Sequence, residues 1–234
     1  MSVPVIEIAK LNLELMSGKS RLHILKDIDM RMNGGEVVAV VGPSGSGKTS
    51  LLMVLGGLER ATTGKVVVAG EDITAINEDA LAVFRRLNLG ILFQNFHLIP
   101  SMTALENVSL ALEIAETGRP IGDIRQAAEE ALLEVGLGDR LTHLPSALSG
   151  GEQQRVGIAR AMVTGPRLIL ADEPTGNLDQ DTGARVIETM FDLARRKGTA
   201  ILLITHDRSI AARADRRLTL NHGRLTGSLE AATA

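Results

Sequence analysis

Apolar and polar residues alternate through the first thirty-odd positions of this chain. Ile6, Ile8, Leu11, Leu13 and Leu15 are the apolar positions of a half-buried strand over residues 5–15. Ile28, Met30 and Met32 repeat the pattern before the Gly34-Gly35 turn. Then the pattern changes. Val37–Val41 is apolar at every residue, as are residues 168–171 and 201–204. Unbroken runs of strand length predict strands covered on both faces of a mostly parallel sheet. Helical periodicity alternates with these runs and is longest over residues 181–197, so the expected class is α/β with a doubly wound core.

The middle of the chain reads differently. From about residue 95 to residue 145 the patterns are helical and no strong strand is visible. Thr103-Ala104-Leu105-Glu106 is a capping box opening one helix, and residues 124–135 predict another. A mainly helical block over about 95–145 is therefore expected inside a single domain of residues 1–234, with 1–94 and 146–234 forming the α/β core.

Three stretches carry chemistry. The apolar strand 37–41 runs into Gly42-Pro43-Ser44-Gly45-Ser46-Gly47-Lys48-Thr49, then into the helical Ser50-Leu51-Leu52. Glycines let successive backbone N–H groups turn inward around phosphate oxygens, and the helix adds its positive N-terminus. Lys48 would neutralise the β- and γ-phosphates, and the Thr49 hydroxyl would complete the shell of a magnesium ion. Asp172 and Glu173 end the apolar run 168–171, which supplies one carboxylate for the metal and a second group for the attacking water. Leu148-Ser149-Gly150-Gly151-Glu152-Gln153-Gln154-Arg155 is the third. Its Ser149 and Glu152 form a capping box around two glycines, an anion site without a cation. Glycine in a first turn weakens a helix, so close approach of a phosphate is the expected reason for both.

That third stretch resembles the signature motif of ABC (ATP-binding cassette) ATPases, and the resemblance runs through the whole chain in order. Gln94 after Ile91-Leu92-Phe93 is similar to the Q-loop glutamine, Asn177-Leu178-Asp179 to the D-loop, and His206 in Ile204-Thr205-His206-Asp207 to the switch histidine. The resemblance implies a P-loop NTPase (RecA-like) core with an N-terminal antiparallel β subdomain and an inserted α-helical subdomain. It also implies ATP and Mg²⁺ as ligands, with two ATP molecules sandwiched in a head-to-tail homodimer. Ser149, Gly150, Gly151 and Glu152 would then face nucleotide held by the other protomer. Glu173 would act as general base, with His206 and Gln94 completing the catalytic set. Thr49, Gln94 and Asp172 would hold the metal, and Asp179 would link the two sites.

Within the family, Gly176-Asn177 and the run from Phe93 to Pro100 look like the lipoprotein-release (LolD), MacB and YbbA systems, most of all the YbbA type. That implies a membrane permease partner with few spans and a large extracytoplasmic domain, and no direct contact with cargo. Phe93, Phe96, Leu98 and Ile99 would border the groove for that permease. An importer ATPase and a soluble ABC ATPase are the alternatives. There is one departure. The family's adenine-stacking aromatic is replaced by Leu15, with His23 as a possible substitute face, so weaker nucleotide affinity and poorer ATP-over-GTP discrimination are expected.

Composition narrows the partners further. The chain of 234 residues is 44% hydrophobic, with four Phe and no Tyr, Trp or Cys. Its core must be aliphatic, and disulfide, zinc-thiolate and thiol chemistry are excluded. A net charge of −3 argues against a nucleic-acid partner or a polybasic membrane binder. The apolar runs fall short of a membrane span, and Met1-Ser2-Val3-Pro4 does not open a leader. The expected place is cytoplasmic, peripheral on the inner face of the membrane through the permease. The pairs Arg85-Arg86, Arg195-Arg196 and Arg216-Arg217 are expected on solvated faces.

Overall fold

The computed structural model describes residues 4–227 except 19, 116, 117 and 119. The first three residues, on which the leader reading partly rests, lie outside the described residues. In chain order the elements are β1 (Pro4–Ser17), β2 (Ser20–Asn33), β3 (Val37–Val41), α1 (Lys48–Leu55), β4 (Thr63–Val68), β5 (Glu71–Asp72), α2 (Glu78–Asn88) and β6 (Leu89–Leu92). There follow α3 (Ala104–Ala115), α4 (Ile121–Glu134), α5 (Gly150–Met162), β7 (Leu168–Asp172), α6 (Gln180–Lys197), β8 (Ala200–Ile204), α7 (Arg208–Ala211), β9 (Arg216–Asn221) and β10 (Arg224–Thr226).

Two sheets result. The first is antiparallel, in the order β2-β1-β4-β5. Its long strands break step where the sequence does. The apolar positions of β1 pass from even to odd numbers between Ile8 and Leu11, and a register shift against β2 falls there, with Lys10 at φ +51°. The second sheet runs β10-β9-β3-β8-β7-β6, parallel except for the β9–β10 hairpin.

The unbroken apolar strands are explained by what covers them. Val38, Val40, Leu168, Leu170, Leu202 and Ile204 pack into one buried cluster with the antiparallel sheet, α1 and α2. Val37, Ile169, Ala171, Ile201 and Leu203 enter a second cluster on the opposite face, with α3 to α6. Both faces of these strands are buried, so a polar residue there would need its own hydrogen-bond partner. The helical block shares its core with α5, α6 and the sheet. Leu105, Val108, Ala128 and Leu132 belong to the same cluster as Val156 and Phe191. Helix α4 begins at Ile121, three residues before the periodicity shows it.

The carboxyl ends of β3, β6, β7 and β8 lie side by side and lead to residues 42, 93, 173 and 205. In an open α/β sheet this is the edge where ligands bind.

Candidate nucleotide site

The loop after β3 is held open by its surroundings. A Cβ at Gly42 would lie 2.0 Å from the Leu220 carbonyl, and one at Gly47 would lie 3.0 Å from the Leu25 side chain. Gly45 and Gly47 take φ values of +74° and +103°, in the left-handed region that favours glycine. Gly47 caps α1 with no side-chain acceptor, so the first-turn N–H groups keep their donors for a ligand. Lys48 Nζ donates to the carbonyls of Gly42 and Pro43 at 2.9 and 3.0 Å, spanning the loop mouth. Pro43, Ser44 and Gly45 are exposed, Ser46 is buried, and Ser50 sits half-buried in the first turn of α1.

Thr49 Oγ1 donates to Asp172 Oδ2 at 2.9 Å, across 123 positions of sequence. Burial pushes the Asp172 carboxyl above its ordinary value; Thr49 pulls it down, Glu173 beside it pushes up, and Lys48 pulls down. A carboxylate disfavoured in this way is stabilised by a cation. Among the described residues no group of three or more His, Cys, Asp or Glu converges on a metal position. The Thr49 hydroxyl and the Asp172 carboxylate are oxygen donors, the kind that bind Mg²⁺ together with phosphates and water.

Glu173 is a non-glycine residue at φ +47°, and its N–H is fixed by the Ile204 carbonyl at 2.9 Å. This turn aims its carboxylate at His206, whose Nδ1 lies 2.8 Å from Oε1. The histidine is three-quarters exposed and the carboxylate mostly covered. Such a pair can orient a water molecule and accept its proton.

Gln94 is exposed and lies against Gly176, where a Cβ would come 2.8 Å from its amide nitrogen. Asn177 Nδ2 donates to the Gln94 carbonyl at 3.0 Å and to Asn95 Oδ1 at 3.1 Å. Gly176-Asn177 thus clamps the segment after β6 to the one after β7. Arg160 of α5 adds a second tie, donating to the carbonyls of His97 and Phe96 at 2.8 and 3.1 Å. Neither clamp was legible in the sequence, because each acts on backbone carbonyls about 60 to 80 positions away.

Ser149 caps α5, and the capping box with Glu152 is complete. Ser149 N–H and Oγ–H both donate to Glu152 Oε2 at 2.8 Å, and Arg140 Nε donates to Oε1 at 3.0 Å. Together they hold the Glu152 carboxyl at about 2, with the Ser149 backbone the largest cause. Beside the expected approach of a phosphate, the structure supplies a second reason for small residues here. A Cβ at Gly151 would sit 2.5 Å from Thr182 Cγ2, and one at Gly150 would sit 3.1 Å from Leu178 Cδ2. Packing against the start of α6 suffices to require a small residue at Gly151. Asp179 caps α6 by accepting from Thr182 N at 3.0 Å.

Leu15 is partly buried against the cluster that includes Leu13 and Leu25, and it pairs with Leu22 across the hairpin. His23 pairs with Glu14, one position along and so on the other face, and its ring meets Asn12 Oδ1 at 2.9 Å. It does not share Leu15's side, and the substitute-face reading falls. Two of the three arginine pairs also need correction, while Arg195 and Arg196 are both exposed. Strand alternation splits Arg216-Arg217: Arg216 is buried with its Nε 2.9 Å from Glu36 Oε1, while Arg217 is exposed. Arg85 donates to the Gly57 carbonyl at 2.7 Å.

A family model described as ABC transporter matches residues 25–176. The chain belongs to the ABC transporter family. Among relatives of this ABC protein, the lipoprotein-releasing system ATP-binding protein LolD of Alcanivorax borkumensis is 46% identical over 224 residues, covering 96% of this chain and 97% of that one. The dimeric structure of the bacterial ABC transporter cassette MJ0796 superposes with a TM-score of 0.89 at 35% identity, covering 98% of this chain and 99% of that one. A dimeric post-hydrolysis state of MJ0796 bound to ADP and Pi gives 0.88 at 34%, with the same coverage. Membership of the family, of the LolD-related type, makes this chain an ATP-binding and ATP-hydrolysing subunit of a membrane transporter complex. Among the described residues, no helix is long and apolar enough to cross a membrane.

Proposed function

We propose that this ABC ATPase works as one half of a head-to-tail dimer, with each ATP held by the loop 42–49 of one protomer and covered by Ser149, Gly150 and Gly151 of the other. The observation that carries this reading is a division of labour within one chain. The Thr49–Asp172 and Glu173–His206 pairs lie at 2.9 and 2.8 Å at adjacent carboxyl strand ends, whereas among the described residues the only basic side chain bonded to the signature turn is Arg140, which is occupied by Glu152.

Lys48 leaves the Gly42 and Pro43 carbonyls to neutralise the β- and γ-phosphates, and loop N–H groups complete the cradle. Thr49, Asp172 and Gln94 would hold Mg²⁺, which would supply charge neutralisation at the transferring phosphoryl group. Glu173, oriented by His206, takes the proton of the attacking water. Ser149 contributes its hydroxyl by turning the proton away from Glu152. Asp179, at the cap of α6, sits where one half-site borders the other. Leu15 gives adenine apolar contact without stacking.

The partner we infer is a few-span permease with a large extracytoplasmic domain, as in the MacB/LolD/YbbA branch, with the YbbA type preferred. It would be received beside Phe96, Leu98 and Ile99, on a segment held in shape by Asn177 and Arg160. The LolD relatives support the branch, and the protein would then stand at the inner face of the membrane without touching cargo.

Glu173→Gln tests the dimer. With ATP it should elute as a stable dimer in gel filtration and hydrolyse at least about a hundredfold more slowly. Persistent monomer would sink the sandwich reading. Affinity capture from native membranes tests the branch: a multi-span importer permease would displace it.

A further inference from the structure

Arg217 points out of β9 and Arg208 opens α7, and both are exposed. Neither guanidinium group makes a hydrogen bond or ion pair among the described residues. They line a cleft of about 540 Å³ with His206 and the start of the phosphate loop, Gly42 and Pro43, and no carboxylate is among its walls. On the other side of His206 is a cleft of about 410 Å³ of opposite sign, lined by Glu173, Asp179, Asp181 and Asp207, with no Lys or Arg. Three of those acids are engaged: Glu173 with His206, Asp179 as the cap of α6, Asp207 as the cap of α7. Asp181 is exposed and has no partner among the described residues.

Two adjoining patches of opposite charge that share one exposed residue fit an inverted copy of themselves. A two-fold rotation lays each basic patch on an acidic one, twice. We propose that Arg208 and Arg217 are dimer-specificity residues: they receive the acidic turn of a second copy of this chain and meet the partner's Asp181. This rests on the dimer reading above and deepens it, by naming what draws two protomers of net charge −3 together. Unpaired guanidinium groups on a cleft wall steer association and gain strength once docking excludes water. In the open they are screened by salt.

The test uses the full chain with Glu173→Gln and ATP, by gel filtration over a dilution series. Arg208→Glu with Arg217→Glu should raise the dissociation midpoint roughly a hundredfold, because each contact occurs twice. Adding Asp181→Arg should bring it part of the way back toward the parent, since opposite charges then meet again at that one contact. Binding of a fluorescent ATP analogue to the dilute monomer should not change, whereas a loss there would mean that the arginines serve nucleotide and would overturn the proposal. If the parent never dimerises, the dimer reading has failed. If the parent dimerises and charge reversal leaves its midpoint unmoved, only this inference has failed. Should the reversed variant not fold, the parent's midpoint between about 0.05 and 0.5 M salt decides: a salt-insensitive midpoint overturns the proposal.

Discussion

In the loop of residues 42–49, Gly45 and Gly47 hold φ values of +74° and +103°, whereas Gly150 and Gly151 of the signature turn lie in an ordinary helix, outside the left-handed region. The first pair is glycine because the backbone path demands it. At Gly151 the need comes from Thr182, which stands where its Cβ would be, and Leu178 stands close to the Cβ of Gly150. The two turns also differ in charge. The phosphate loop carries its own cation, Lys48. The signature turn carries a carboxylate, Glu152, already neutralised by Arg140. One turn can bind a phosphate unaided; the other can only complete a site that something else has begun.

The largest effect separating them should come from Lys48→Ala. Loss of the loop's cation removes charge stabilisation that nothing else in the loop replaces, so ATP hydrolysis should fall about 10²- to 10³-fold. A steady-state phosphate-release assay checks this. Retention of most activity would mean that the signature turn is the primary phosphate site.

Next in size is Gly151→Ala. Its methyl group would lie 2.5 Å from Thr182 Cγ2, and overpacking of this kind costs about 1–3 kcal/mol. Thermal melting without nucleotide should show the loss in a monomer. Thr182→Ser removes the clashing methyl and keeps the backbone N–H that Asp179 caps, so the double variant should recover most of the stability. A Gly151→Ala variant with normal stability that fails only in ATP-driven dimerisation would make phosphate approach the reason for this glycine.

The same contrast shows what could be read from the chain alone. The strands covered on both faces were legible because every residue of Val37–Val41 is apolar, and the loop after β3 because its glycines and Lys48 obey a local rule. Pairings across many positions left no trace. Nothing in the sequence links Asn177 to Gln94, or Arg160 to Phe96, because a backbone carbonyl accepts from any donor that folding brings near. The contact of Gly151 with Thr182 was hidden for a related reason: a glycine reports that space is short without reporting what fills it. Arg216 misled because adjacent residues on a strand face opposite ways, so a charged pair in sequence became one buried ion pair and one exposed arginine.

A smaller change, Leu15→Tyr, sharpens the phosphate-loop side. Leucine is half-buried and offers adenine an apolar edge, while base–aromatic stacking is worth about 1–3 kcal/mol. Part of that is already supplied by the leucine, so ATP affinity should rise by about 1 kcal/mol. Discrimination against GTP should rise with it. Equilibrium titration with both nucleotides measures the two effects together. A strong ATP preference in the parent that survives Leu15→Ala would show that the base is read elsewhere.

The smallest effect belongs to the signature turn and is a matter of pH. The Glu152 carboxyl is held at about 2 by the Ser149 N–H, the Ser149 hydroxyl and Arg140, below its ordinary 4.5. A depressed acid stabilises the fold fully above its unfolded value, and that contribution fades as pH falls from about 4.5 toward 2. The gain is modest because solvent still reaches the pair. Glu152→Gln keeps an acceptor for the Ser149 N–H but cannot titrate, so its acid-unfolding curve, followed by circular dichroism, should be flatter across that window. Arg140→Ala should move the acid limb upward by removing its hydrogen bond and its charge while leaving both Ser149 donors. If Arg140→Ala left the acid limb in place while weakening the ATP-driven dimer, Arg140 would be acting on the incoming phosphate rather than on the cap, and the signature turn would carry a cation after all.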